Sequence, residues 1–257
     1  MNLWQPDAAE MVAGFIKDTY AVEDGGIKVG GSLLNEGELD IFSDVDMEVS
    51  LAEGARIDVK AFISALSCRF GGIFGYETHI GDDGRDATIR VCFENGWRFD
   101  FSFARRAAAA AAAAAADTAV AVTADTGAIE SVVEQFWFMA SMVLVKLGRR
   151  DHLIAAHLAL ELCQLAIVVQ MLARDAQKGT NIHRFGGAED VPVLRLPPAA
   201  PGSAIAGGQN AGDATQINIL NILVHAAEHM DNTAAAYLQQ YTKRSAALNA
   251  LRRRLGI

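Results

Sequence analysis

Residues 44–51 read Asp-Val-Asp-Met-Glu-Val-Ser-Leu, and their strict alternation leaves one conformation open to them. Val45, Met47, Val49 and Leu51 recur every second residue, and Asp44, Asp46, Glu48 and Ser50 fill the gaps. Period two belongs to a strand with one apolar and one polar face. Two or three carboxylates therefore stand side by side on the polar face. Like charges so close repel and raise one another's proton affinity unless a cation lies between them. Hard divalent cations such as Mg2+ take oxygen ligands and share them with substrate phosphates. Just upstream, Gly30-Gly31-Ser32 forms a turn whose backbone N–H groups can face an anion. If residues 32–36 begin a short helix, its N-terminus faces the same anion. These parts fit a metal–triphosphate site.

A second alternating stretch strengthens the pattern. In Arg98-Phe99-Asp100-Phe101-Ser102-Phe103 the three phenylalanines share one face, and Arg98, Asp100 and Ser102 share the other. Asp100 is thus an isolated carboxylate within an apolar strand.

Gly31-Ser32, then Ser43-Asp44-Val45-Asp46, then Asp100 together resemble the nucleotidyltransferase superfamily of DNA polymerase beta. The resemblance implies that Asp44, Asp46 and Asp100 are catalytic and bind Mg2+. It implies that Gly31 lets the backbone approach a nucleoside triphosphate and that Ser32 holds its terminal phosphates. ATP is the expected donor and a small-molecule hydroxyl the expected acceptor. A toxin-like acceptor, tRNA or protein, is the alternative, as is a degenerate nucleotide-binding protein. The intact carboxylates argue against degeneracy. Beyond the third aspartate, no family base is matched.

The helical half carries a looser resemblance. Trp137, then Lys146-Leu147-Gly148-Arg149-Arg150-Asp151-His152-Leu153, with Ala156, is similar to the second domain of lincosamide and aminoglycoside nucleotidyltransferases. Lys146 and Arg149, with Arg150, are secondary candidates to neutralise the triphosphate by their charge. Their other reading is a solvated helix end, where cations complement the dipole.

The rest of the chain organises around these stretches. The expected fold class is α+β, a mixed sheet of about five strands with flanking helices (1–125) followed by a helical bundle of three or four helices (126–257). A stripe of Val12, Phe15, Ile16 and Tyr20 predicts a helix over 7–20, capped by Asp7. Asp24-Gly25-Gly26 predicts a turn before a short strand, 27–29. Asp58 caps a helix striped by Val59, Phe62, Ile63, Leu66 and Phe70. Strands follow near 73–80, 86–93 and 97–103, with turns at Gly81–Gly84 and at Glu94-Asn95-Gly96, the latter a hairpin. Ten alanines at 107–116 read as a short helix inside a connector, 104–127, to which no chemistry is assigned. Helices are expected at 129–148, ending on Gly148, at 151–175, and at 214–254, with Thr215 as cap. The Pro- and Gly-rich stretch 186–212 is a loop long enough to wall a substrate.

Charge and composition bound the partners. At 257 residues and a net charge of −9, with a pI near 5.1, bulk nucleic-acid binding is disfavoured. Three scattered cysteines, Cys68, Cys92 and Cys163, make no metal motif and suit a reducing, cytoplasmic setting. No signal peptide is expected. The helix over 151–175 approaches membrane-spanning length, but His157, Glu161, Gln164 and Gln170 favour a bundle helix over a span. His157 and Glu161 are read as paired core residues before cleft groups, and Glu48 as a solvated strand residue before a base. Arg98 is expected to pair with an acidic neighbour. The apolar helices leave a homodimer open. His225-Ala226-Ala227-Glu228-His229 fits a zinc-peptidase pattern, but no further Glu follows, and the preferred reading is two histidines on a polar face.

Overall fold

In the computed structural model, residues 3–34, 39–81, 86–105, 126–178 and 211–257 are described. The chain divides into two compact units, Met1–Ala119 and Val120–Ile257. Together they make a mixed α+β protein with one five-stranded sheet and six α-helices among the described residues.

The first unit runs α1 (Gln5–Thr19), β1 (Val22–Gly30), β2 (Val45–Leu51), α2 (Val59–Phe70), β3 (Ile73–Ile80), β4 (Ala87–Phe93) and β5 (Arg98–Arg105). The sheet order is β1-β2-β5-β4-β3. Strands β2 and β5 are parallel, and every other pairing is antiparallel. The hairpin at Glu94-Asn95-Gly96 forms as expected: the Gly96 N–H donates to the Phe93 carbonyl, and β4 lies antiparallel to β5.

One face of the sheet is the core. Val45, Met47, Val49 and Leu51 of β2 are buried with Phe99, Phe101 and Phe103 of β5 and Ile89 and Val91 of β4. Phe62 of α2 meets Phe101 and Phe103 edge to face, both at 5.1 Å, and α1 adds Val12 and Ile16 to the same cluster. Such aromatic pairs contribute about 0.5–1.5 kcal/mol beyond their area. With both helices in this cluster, the opposite polar face is left to β2, β5, β4 and β3.

Two local expectations change here. The Asp24-Gly25-Gly26 turn lies inside β1, because a register shift between Val22 and Ile27 absorbs it as a bulge, with Gly25 at φ +69°. Helix α1 starts earlier than Asp7, at Gln5, with Pro6 in its first turn and no side-chain cap; there Pro costs no hydrogen bond. Asp58 does cap α2, accepting from the Ala61 N–H at 3.0 Å.

The second unit holds α3 (Thr126–Gly148), α4 (His152–Lys178), α5 (Ala211–Tyr237) and α6 (Ser245–Arg254). Gly148 ends α3 but is still helical; Arg150 takes the left-handed conformation, φ 59°. Asp151 then opens α4, accepting from the Ile154 N–H at 3.3 Å. The single last helix expected over 214–254 is two helices, and Thr215 lies inside α5 rather than capping it. The break has a tertiary cause. Buried Asp231 accepts from the backbone N–H groups of Arg244 and Ser245, both at 2.9 Å, from the Ser245 hydroxyl, and from the Tyr241 hydroxyl at 2.7 Å. Arg244 also reaches Glu134 of α3 through both guanidinium ends, at 2.7 and 2.5 Å. A carboxylate that caps a helix from a neighbouring helix leaves no local signal at residues 238–244.

Among the described residues, Gly127–Gly148 and His152–Gln177 are long and apolar enough to cross a membrane by length and composition. The most apolar windows are 56% and 33% buried, respectively. On α4, Leu153, Leu160, Ile167 and Val168 are exposed. His157 and Glu161, expected in the core, are instead an i,i+4 pair at 3.3 Å with His157 exposed and Glu161 half-buried.

Candidate functional site

The pairing registers place five residues in one line across the sheet. Gly30 of β1 pairs with Asp46 of β2, Asp46 with Asp100 of β5, Asp100 with Arg90 of β4, and Arg90 with Glu77 of β3. Residues directly opposite on neighbouring strands share a face. The two carboxylates, one guanidinium and third carboxylate therefore form a lateral row on the polar side of the sheet. Lys28, Glu48, Ser102, Thr88 and His79 form the next row.

The side chains follow the register. Arg90 Nε lies 3.2 Å from Asp100 Oδ2, and Arg90 Nη1 lies 3.4 Å from Glu77 Oε2. Burial pushes the Asp100 carboxyl up to about 6; nearby Asp44 and Asp46 push it the same way, while Arg90 and Arg98 oppose them. Asp46 is raised for the same reasons: burial first, then Asp44, with Arg90 opposing. A group that resists ionisation beside other acids is short of positive charge.

Gly31 closes the row at its β1 end. It sits at φ +68° and begins a short 3-10 turn, Gly31–Leu34. A Cβ built there would overlap Asp46 Oδ2 and stand 3.0 Å from its Cγ. Glycine is required twice, by conformation and by the carboxylate lying against it. The side chain of Ser32 lies outside the described residues, as do 35 and 36 of the expected short helix, 82–84 of the expected Gly81–Gly84 turn, the 107–116 alanine run and nearly all of the 186–212 loop.

The remaining candidates separate. Asp44 precedes β2 and acts on both Asp46 and Asp100 through its charge. Arg98 is buried and donates to the Phe42 carbonyl, tying β5 to the turn before β2. Glu48 is exposed and faces Lys28 at 3.6 Å. Lys146, in the last turn of α3, and Arg149, just beyond it, belong to the second unit. His225 and His229 stand one turn apart on α5; burial, and then His225, lowers the proton affinity of His229. The second unit also has an open cavity of about 510 Å³, lined in part by Glu130, Glu134, Tyr237 and Tyr241.

Among the described residues no group of three or more His, Cys, Asp or Glu side chains stands close enough together to hold a metal ion. Asp100 pairs instead with Arg90, Nε to Oδ2 at 3.2 Å. The donor chemistry nevertheless fits a hard divalent cation: the carboxylate oxygens of Asp46 and Asp100 stand on neighbouring strands, with Gly31 packed against the first.

Sequence reasoning missed Arg90 and Glu77. Each is an ordinary polar residue of an alternating strand, and only the β4–β5 and β3–β4 registers bring them to Asp100. No protein-family model matches the chain, and no curated protein matches it.

Proposed function

We propose that the chain transfers an AMP group from ATP to a hydroxyl of a small-molecule acceptor, by resemblance an antibiotic, with release of pyrophosphate. The observation that carries this reading is the adjacent pair Asp46 and Asp100 on parallel strands, with Gly31 packed against Asp46. The five-stranded sheet is read here as the nucleotidyltransferase-type sheet that the motif resemblance implies.

In this reading the acceptor oxygen forms a bond to the α-phosphorus while the bond to the β-phosphate oxygen breaks. The acceptor's proton is lost and pyrophosphate leaves. Magnesium, when bound, supplies charge neutralisation and Lewis acidity for the triphosphate. Asp46 and Asp100, with Asp44, would hold it through their carboxylate oxygens. Gly31, at φ +68° and without a Cβ, lets the Asp46 carboxylate lie against the turn. The core phenylalanines of β5 fix the strand, and with it the direction of Asp100, within a rigid sheet.

The test is calorimetric ATP binding, with and without Mg2+, on the native protein and on Asp46→Asn. Mg2+-dependent binding that the variant loses, with turnover reduced by several orders of magnitude while the fold persists, is the expected result. An acceptor screen beginning with aminoglycosides and lincosamides follows. Near-normal turnover in Asp46→Asn removes the assignment.

A further inference from the structure

We infer that Arg90 is a binding residue for the nucleotide's phosphates, held ready between Asp100 and Glu77. The inference rests on the nucleotidyl-transfer reading and adds to it a residue outside the motif.

Three observations carry it. First, Arg90 lies in the same cross-strand row as Asp46 and Asp100, so its guanidinium belongs to the face on which a triphosphate would lie. Second, its two ion-pair contacts use different parts of the fork: Nε toward Asp100 and Nη1 toward Glu77. Third, Arg90 is the open member of the row. Its side chain is 49% exposed, against 25% for Asp100.

Together these make a charge exchange. Arg90 now holds Asp100 through Nε, at 3.2 Å from Oδ2. Once Asp100 is neutralised otherwise, the Nε contact is no longer needed. Glu77 still anchors the guanidinium at the edge of the row through Nη1, and Nη2 makes no ion pair among the described residues. A planar fork of this kind matches phosphate oxygens in pairs, which a lysine ammonium does not. Glu77 is then a positioning residue.

The two ligands pull Arg90's contribution in opposite directions, and this makes the inference testable. A metal ion alone is repelled by the guanidinium, whereas a metal-bound triphosphate is attracted by it. Calorimetry with MnCl2 alone, and with Mg2+ plus α,β-methylene ATP, separates the two in the native protein, Arg90→Gln, Arg90→Lys, Glu77→Gln and Asp46→Asn.

Arg90→Gln is expected to weaken nucleotide binding about tenfold, the loss of a charge-assisted hydrogen bond at a half-exposed site. It should leave Mn2+ binding undiminished or tighter by about threefold. Arg90→Lys should recover part of the nucleotide affinity, and Glu77→Gln should lose two- to threefold by releasing the anchor. Native nucleotide affinity in Arg90→Gln, with binding abolished in Asp46→Asn, overturns the role of Arg90 and leaves the nucleotide site standing. Equal loss of Mn2+ and nucleotide in Arg90→Gln overturns it too, since Arg90 would then only orient Asp100. No nucleotide binding by the native protein overturns both readings.

Discussion

Gly31→Ala puts a methyl group where the Asp46 carboxylate now lies, and the cost divides into two separable parts. The backbone part is the left-handed conformation: at φ +68° an alanine costs about 1–2 kcal/mol more than glycine. The steric part falls on Asp46. The new Cβ overlaps Oδ2 and approaches Cγ to 3.0 Å, but stands at an ordinary 3.5 Å from the Asp46 Cβ. The carboxylate must therefore leave its rotamer, which costs of order 1 kcal/mol. Together these predict a loss of about 2–3 kcal/mol, a Tm lowered by roughly 5–10 °C.

The assay is a double-mutant cycle on thermal or urea unfolding with Gly31→Ala, Asp46→Ala and the pair. Asp46→Ala removes every atom that the methyl group would clash with. In that background Gly31→Ala should cost only its backbone part, giving a coupling of about 1 kcal/mol between the two positions. Additive effects, with no coupling, would refute the close packing of Gly31 on Asp46, and with it the argument that this turn is shaped around the carboxylate.

Two further outcomes follow from the charges. Asp100 binds its proton more tightly in the folded protein, at about 6, than at the ordinary 3.8. Folded stability is therefore greatest below about pH 4 as far as this group is concerned, and falls as pH rises from about 4 to about 6. Asp100→Asn should flatten that fall and raise the Tm at pH 7, by of order 2 kcal/mol of stability, as read from melts at pH 4, 5, 6 and 7. In the second unit, Tyr241 donates to Asp231 at 2.7 Å and accepts from Trp137 Nε1 at 2.9 Å. Tyr241→Phe removes one of the hydrogen bonds that Asp231 accepts and the hydroxyl that accepts from Trp137 Nε1, and should cost about 1–2 kcal/mol, measured by urea unfolding; an unchanged midpoint would show that the pair is not holding the α5–α6 turn.

What the sequence disclosed and what it hid divide by the range of the interaction. The alternations in 44–51 and 98–103 marked β2 and β5 and their polar faces, because strand periodicity is a local property. Asp58 marked the start of α2, and Asn95-Gly96 marked the hairpin, because caps and turns depend on a few consecutive residues. The break between α5 and α6 went unseen, because its cause is Asp231, thirteen residues before Arg244. The bulge in β1 went unseen for a related reason: Gly25-Gly26 also suits a turn, and only pairing with β2 decides between them. In the candidate site, Asp46 and Asp100 were legible as polar residues in apolar strands. Arg90 and Glu77 were not, since nothing in their own strands distinguishes them from solvated residues.

The row from Gly30 to Glu77 also limits how such a chain can change length. Four strand pairings must agree in phase for those residues to meet. Inserting one residue within β5 would turn Asp100 into the core and a phenylalanine outward, discarding the chemistry and the packing in a single event. Inserting two would restore the face but shift the residue by one row, opposite Glu48 or its counterpart. Insertions and deletions in related chains should therefore fall between the strands, and the spacing from Gly31 to Asp46 should vary far more readily than any residue count inside β2, β4 or β5.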